Sequence, residues 1–85
     1  MANGLSVFTL NVNGLCSRSK RKRAFRFLKQ KRYDIIFLQE TGITKDASDE
    51  WMREWKNGFI YHENTTRSLG QVILFSDKCN NDILQ

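Results

Sequence analysis

Proline is absent from this 85-residue chain, cysteine occurs twice and histidine once. Without proline, an internal repeat or a low-complexity stretch, nothing marks a linker, and the sequence reads as at most one small domain. Cys16 and Cys79, with His62 as the single histidine, supply neither a disulfide framework nor metal-ligand spacing. Both read as reduced thiols of an intracellular protein, nuclear or cytoplasmic. No apolar run approaches the roughly 20 residues that a membrane crossing needs, and no basic leader precedes the apolar stretch after Met1. A signal peptide, a membrane anchor and a membrane partner are therefore not expected. The match of Asn64-Thr65-Thr66 to a glycosylation acceptor carries no weight without secretion. Acids are missing altogether between Arg18 and Arg32.

That last gap organises the charge. Nine of the fourteen basic residues fall in it, so the net charge of +5 is a local positive field on an otherwise acidic chain. Read as a helix over Lys20–Arg32, the segment has a core side made by Ala24, Phe25, Phe27 and Leu28, and a basic side made by Lys22, Arg23, Arg26 and Lys29. A basic side is either a solvated face or a set of phosphate contacts, because Lys and Arg gain affinity for nucleic acid by releasing counterions. The group at the helix start, Lys20, Arg21, Lys22 and Arg23, is the better candidate for contact, being close to the end of the strand before it.

Two apolar runs flank this helix, and each closes on a polar residue. Ser6–Val12 leads to Asn11 and Asn13; Ile35–Gln39 leads to Glu40. Strand, helix and strand at this spacing form a right-handed unit with parallel strands. The C-terminal ends of both strands then lie on one edge, where open α/β sheets bind ligands, and Asn11 and Glu40 become neighbours. The bulky content of both runs implies burial on both faces of the sheet. Beyond them, Asp46 is placed as the N-cap of a short helix carrying Trp51 and Trp55 at i, i+4, a core pair or a base-stacking platform. Gly58–His62 and Gln71–Phe75 follow as strands of an antiparallel hairpin with the loop Glu63–Leu69. From Ser76 to Gln85 no element is legible that would cover the hairpin.

The motifs Leu10-Asn11-Val12-Asn13-Gly14-Leu15 and Asp34-Ile35-Ile36-Phe37-Leu38-Gln39-Glu40-Thr41, followed by Gly70-Gln71-Val72-Ile73-Leu74-Phe75-Ser76, resemble the opening of the endonuclease/exonuclease/phosphatase superfamily. Asn13, the basic first helix and the last strand are most similar to the endonuclease domains of non-LTR retrotransposons. The resemblance implies the N-terminal half of a four-layered α/β sandwich, a βαβ unit followed by a short helix and a hairpin, with residues 1–85 a partial domain. It implies a Mg²⁺-dependent DNA endonuclease, with Mn²⁺ as a substitute. Asn11 and Glu40 would be catalytic and metal-binding, while Asn13, Lys20, Arg21, Lys22 and Arg23 would hold DNA. Asn13 stands where apurinic-site endonucleases carry aspartate, so nicking of ordinary DNA is favoured over abasic-site repair.

The family's later motifs, of the Gly-Asp-Phe-Asn and Ser-Asp-His types, do not occur in the 85 residues. His62 precedes the glycine strand and reads as a surface or hairpin residue. Cleavage needs an activated water and charge stabilisation around the phosphate, which half a site does not supply. The chain is thus expected to be inactive alone and to need the missing C-terminal half of its domain. Two alternatives stand beside this reading. One is another phosphoesterase of the superfamily, such as a deadenylase or a lipid phosphatase; the other is a non-catalytic basic module that binds nucleic acid.

Overall fold

A computed structural model describes residues 4–77. Cys79 and most of the segment 76–85 lie outside them. Ser6 and Asp34 tie the chain together just ahead of the first two strands. The Asp34 carboxylate accepts hydrogen bonds from the Ser6 backbone N–H and hydroxyl, at 2.8 and 3.2 Å, and the Ser6 Oγ accepts the Asp34 N–H in return at 3.0 Å. From this clasp β1 (Val7–Asn11) and β2 (Ile35–Gln39) run side by side, parallel and in register from Val7 opposite Ile35 to Asn11 opposite Gln39. The expected parallel pair is present.

The connection is α1 (Arg18–Lys31), which begins two residues earlier than the charge pattern suggested. The Ser17 side chain caps it by accepting from the Lys20 N–H, and Arg32 closes it in the left-handed conformation. Phe25 and Leu28 face the core, whereas Phe27 is 45% exposed with the Lys31 ammonium over its ring. Phe27 therefore does not belong to the core side assigned to it. A helix turns 100° per residue, and the stripe through Phe25 and Leu28 passes through Arg21 instead.

The next helix, α2 (Ser48–Trp55), opens on Ala47, not on Asp46. A turn over residues 44–48 precedes it, in which Thr44 Oγ1 accepts the Ala47 N–H and Ser48 Oγ donates to the Lys45 carbonyl, so the helix needs no aspartate cap. Trp51 and Trp55 are both 1% exposed, which makes the pair core and excludes a stacking platform. Trp55 meets Phe25 edge to face at 5.5 Å, and its Nε1 donates to the Phe75 carbonyl.

The hairpin comprises β3 (Phe59–Asn64) and β4 (Leu69–Phe75), longer than read from sequence. β4 pairs with β3 on one side and, antiparallel, with β2 on the other, giving one mixed sheet of order β1-β2-β4-β3. Both helices pack on the face that carries Ile36, Leu38, Val72 and Leu74.

The opposite face is open among the described residues. Val7, Phe37 and Ile60 lie on it, 56%, 37% and 55% exposed. Burial of β1 and β2 on both faces, expected from their composition, is therefore not observed. One sheet and its helices supply two layers. An apolar strand face reads the same whether or not something covers it.

Candidate functional site at the strand ends

At the C-terminal edge of the sheet both parallel strands bend together. The ladder continues past β1 with Val12 donating to the Gln39 carbonyl, then skips Asn13 and resumes with Gly14 donating to Glu40 and Leu15 to Thr41. Asn13 (φ 52°) and Glu40 (φ 57°) both occupy the left-handed region, where a non-glycine residue costs on the order of 1 kcal/mol or more. For asparagine the strain is slight; for glutamate it is a departure, and such departures gather at functional positions.

The bend brings together the two residues singled out by sequence. Asn11 Nδ2 donates to Glu40 Oε2 at 2.7 Å. The amide orientation is fixed, because Asn11 Oδ1 accepts the Asn13 backbone N–H at 3.1 Å and a donor in that place would be rejected. Asn11 thus turns its donor, not its oxygen, toward the carboxylate. The oxygen through which it would ligate a metal is engaged by the Asn13 N–H, and what the geometry shows is an amide that fixes the Glu40 carboxylate. Among the described residues Glu40 Oε1 has no hydrogen-bond partner.

Lys20 stands at the same edge. Its ammonium reaches back to the carbonyls of Val12 at 3.0 Å and Asn13 at 3.3 Å, holding the strand bend and keeping one N–H to spare. Lys22 and Arg23 are exposed. Arg21 is not with them. It is 1% exposed and spends every donor inside the protein, on Glu54, Glu50 and the carbonyls of Leu15 and Cys16, with its guanidinium 5.0 Å above Trp51. Glu54 foremost, then Glu50, raises its pKa further against the opposing effect of burial. Arg21 is therefore removed from the DNA-contact group; it staples α1 to α2.

The sequence reading missed the far wall of the site. Because β4 runs antiparallel to β2, its start returns to the edge where β2 ends, so Arg67, Ser68 and Leu69 line a shallow cleft of ≈ 380 Å³ together with Glu40. Arg67 makes no ion pair with Glu40 or with any other described acid. The hairpin was legible, but its docking beside β2 was not, and only that docking carries Arg67 to the edge. Gly70 (φ 87°) makes the close approach feasible: a Cβ there would sit 3.0 Å from Thr41 Oγ1 and 3.1 Å from the Ile43 nitrogen. His62 is exposed on β3, opposite Gln71, as anticipated for a hairpin residue.

Among the described residues no group of three His, Cys, Asp or Glu side chains gathers to cage a metal ion. What the edge offers is one oriented carboxylate with a free oxygen. That matches the donor set of Mg²⁺, which binds through one or two carboxylates and completes its shell with waters and substrate phosphate oxygens.

No family model matches the chain. It is 38% identical over 80 residues to the Transposon TX1 uncharacterized 149 kDa protein of Xenopus laevis, a match that covers 94% of this chain. The chain spans about 6% of that protein's length. Its relationship is to a piece of a transposon protein.

Proposed function

We propose that this chain is the metal-binding part of a Mg²⁺-dependent DNA endonuclease of the endonuclease/exonuclease/phosphatase type found in non-LTR retrotransposons. The observation that carries the reading is the Asn11–Glu40 hydrogen bond across the ends of two parallel strands. It leaves Glu40 with a fixed direction and one oxygen without a partner among the described residues, and kinship with a transposon protein supports the retrotransposon side of the reading.

In this reading Glu40 holds the ion and Asn11 keeps the carboxylate in place. The ion, when bound, would neutralise charge developing on the scissile phosphate. Lys20 and Arg67, on either side of Glu40, take phosphate oxygens of the substrate, with Asn13 presenting its amide at the bend. The activated water and the groups that stabilise the leaving oxygen are absent from this set, so nicking requires residues outside it.

The test uses the chain itself with Mn²⁺ as a paramagnetic stand-in for Mg²⁺. Amide signals of Asn11–Gly14 and Gln39–Thr41 should broaden first, Mg²⁺ should reverse the effect, and Glu40→Gln should abolish it. Broadening that ignores Glu40→Gln sinks the assignment. In a longer protein containing this segment, Glu40→Ala should lower nicking of supercoiled DNA by orders of magnitude with the fold intact, while the 85-residue chain alone should not nick.

A further inference from the structure

We propose that the groove between α1 and α2 is a second contact surface, a track for the backbone of one nucleic-acid strand that leads away from the Glu40 edge. Arg18, Lys22 and Arg26 follow one another at i, i+4 and i+8 along α1, and Lys29 continues the row; together they line a cavity of ≈ 550 Å³. Glu54 is the acid in this groove, and its carboxylate is already engaged by the Arg21 guanidinium. Its Oε2 also lies 4.0 Å from Arg18 Nε, a long contact with the first residue of the row, so one shared carboxylate faces four cations and the lining is net positive.

Such a row works against the helix that carries it. Like charges at i, i+4 destabilise a helix by roughly 0.2–0.5 kcal/mol per pair, and cations near its start oppose the helix dipole. No acid occupies the first turn, where one would relieve both. Lys29 adds to the strain: its ammonium leans over the Trp55 ring and donates to the Glu54 carbonyl at 3.3 Å, and partial burial there, then the nearby Lys56 charge, lowers its pKa. Solvated helix faces commonly intersperse both signs. This one does not, and a polyanion laid along it would cancel each of these costs at once.

Dimensions select the polyanion. From Arg18 to Lys29 the helix rises about 16 Å at 1.5 Å per residue. A nucleic-acid strand presents one phosphate per roughly 3.4 Å of axis, or about five over that distance. Packed helices have axes only about 8–10 Å apart, so the groove between them has the width of a single backbone. Direction separates the track from the site. Its Arg18 end adjoins the strand-end edge, because α1 starts there, and its Lys29 end approaches the opposite edge, where β2 begins. The proposal does not rest on Glu40 binding a metal.

Fluorescence anisotropy of the full chain with a labelled 12-nucleotide oligothymidine, followed against salt, tests it. Each phosphate contact to a single strand contributes about 0.7 to the slope of log affinity against log salt. The triple variant Lys22→Gln, Arg26→Gln, Lys29→Gln should therefore lose about 2 from that slope. All three side chains are exposed, and circular dichroism checks that the variant folds. As a readout that needs no variant, amide shifts on adding the oligonucleotide to the native chain should centre on Arg18–Lys29 and Glu54. An unchanged slope, shifts confined to the β3–β4 turn, tighter binding of duplex than of single strand, or binding of anionic vesicles in place of the oligonucleotide would each overturn the track.

Discussion

Glu40 sits in a conformation that glycine would adopt more readily, and it is held there by its neighbours. Glu40→Gly should leave stability unchanged or raise it by up to about 1 kcal/mol in urea unfolding, since release of the left-handed strain offsets the lost Asn11 bond. The same variant should lose Mn²⁺-dependent broadening. A clear destabilisation would mean that the bend is relaxed and that Glu40 is a structural residue. Arg21 behaves in the opposite way. Removing a cation that satisfies two carboxylates and two carbonyls strands all of them, but Glu50 is about half exposed and water compensates in part. Arg21→Lys should therefore cost roughly 1–3 kcal/mol, as the forked donor set is lost while the charge remains. A variant as stable as the native chain would show that the staple is ornamental. Asn11 and Glu40 were legible because topology alone brings strand ends together. Arg21 was hidden in a run of cations, although its spacing of four and seven residues from Phe25 and Leu28 places it on the apolar stripe, and Glu50 and Glu54 repeat the i, i+4 spacing on α2.

At the scale of elements, α1 carries a charge it holds at a cost. The lowered pKa of Lys29, caused first by burial and then by Lys56, means that at neutral pH the charged amine opposes folding. Between its lowered pKa and the ordinary lysine value the unfolded chain binds the proton more strongly, so stability contributed by this group rises with pH across that window. Native chain and Lys29→Gln, compared by thermal melting from neutral pH to about pH 10.5, should show the native chain gaining on the variant as pH rises. A difference that stays constant or reverses sign would remove Lys29 from the strained set. Helices and strands were largely legible in the sequence because period and bulk declare them. Their ends were less so: α2 starts on a threonine-closed turn where an aspartate cap was read, and β3 and β4 run further toward their turn than the polar residues there suggested.

At the scale of the whole molecule, the described residues present a sheet with one apolar face open. Phe37 and Ile60 stand on it with Ile73 of β4 between them in register. A contiguous exposed apolar patch drives association, and the chain should sediment with a concentration-dependent mass. Phe37→Asp with Ile60→Asp should suppress that dependence at little cost to stability, as neither side chain is in the core. Persistent association in that variant would move the contact elsewhere. Fold class was open to the sequence; the covering of each face was not, since residue type records what a face needs and not whether it has it.

The strand order has a consequence in time. β4 is the last of the described strands and yet lies in the interior of the sheet, between β2 and β3. β1 and β2 are separated in sequence by a helix, and β2 and β4 by a helix and a strand, so the sheet closes mainly through loops that are slow to form. Until Val72 and Leu74 arrive, Ile36 and Leu38 have neither a second hydrogen-bonding neighbour nor a complete core. The amides of β2 and β4 should accordingly exchange with deuterium at one common free energy, with no βαβ unit surviving as a partly folded species. A chain that stops short of Leu69 loses the middle of its sheet, and the Glu40 edge with it.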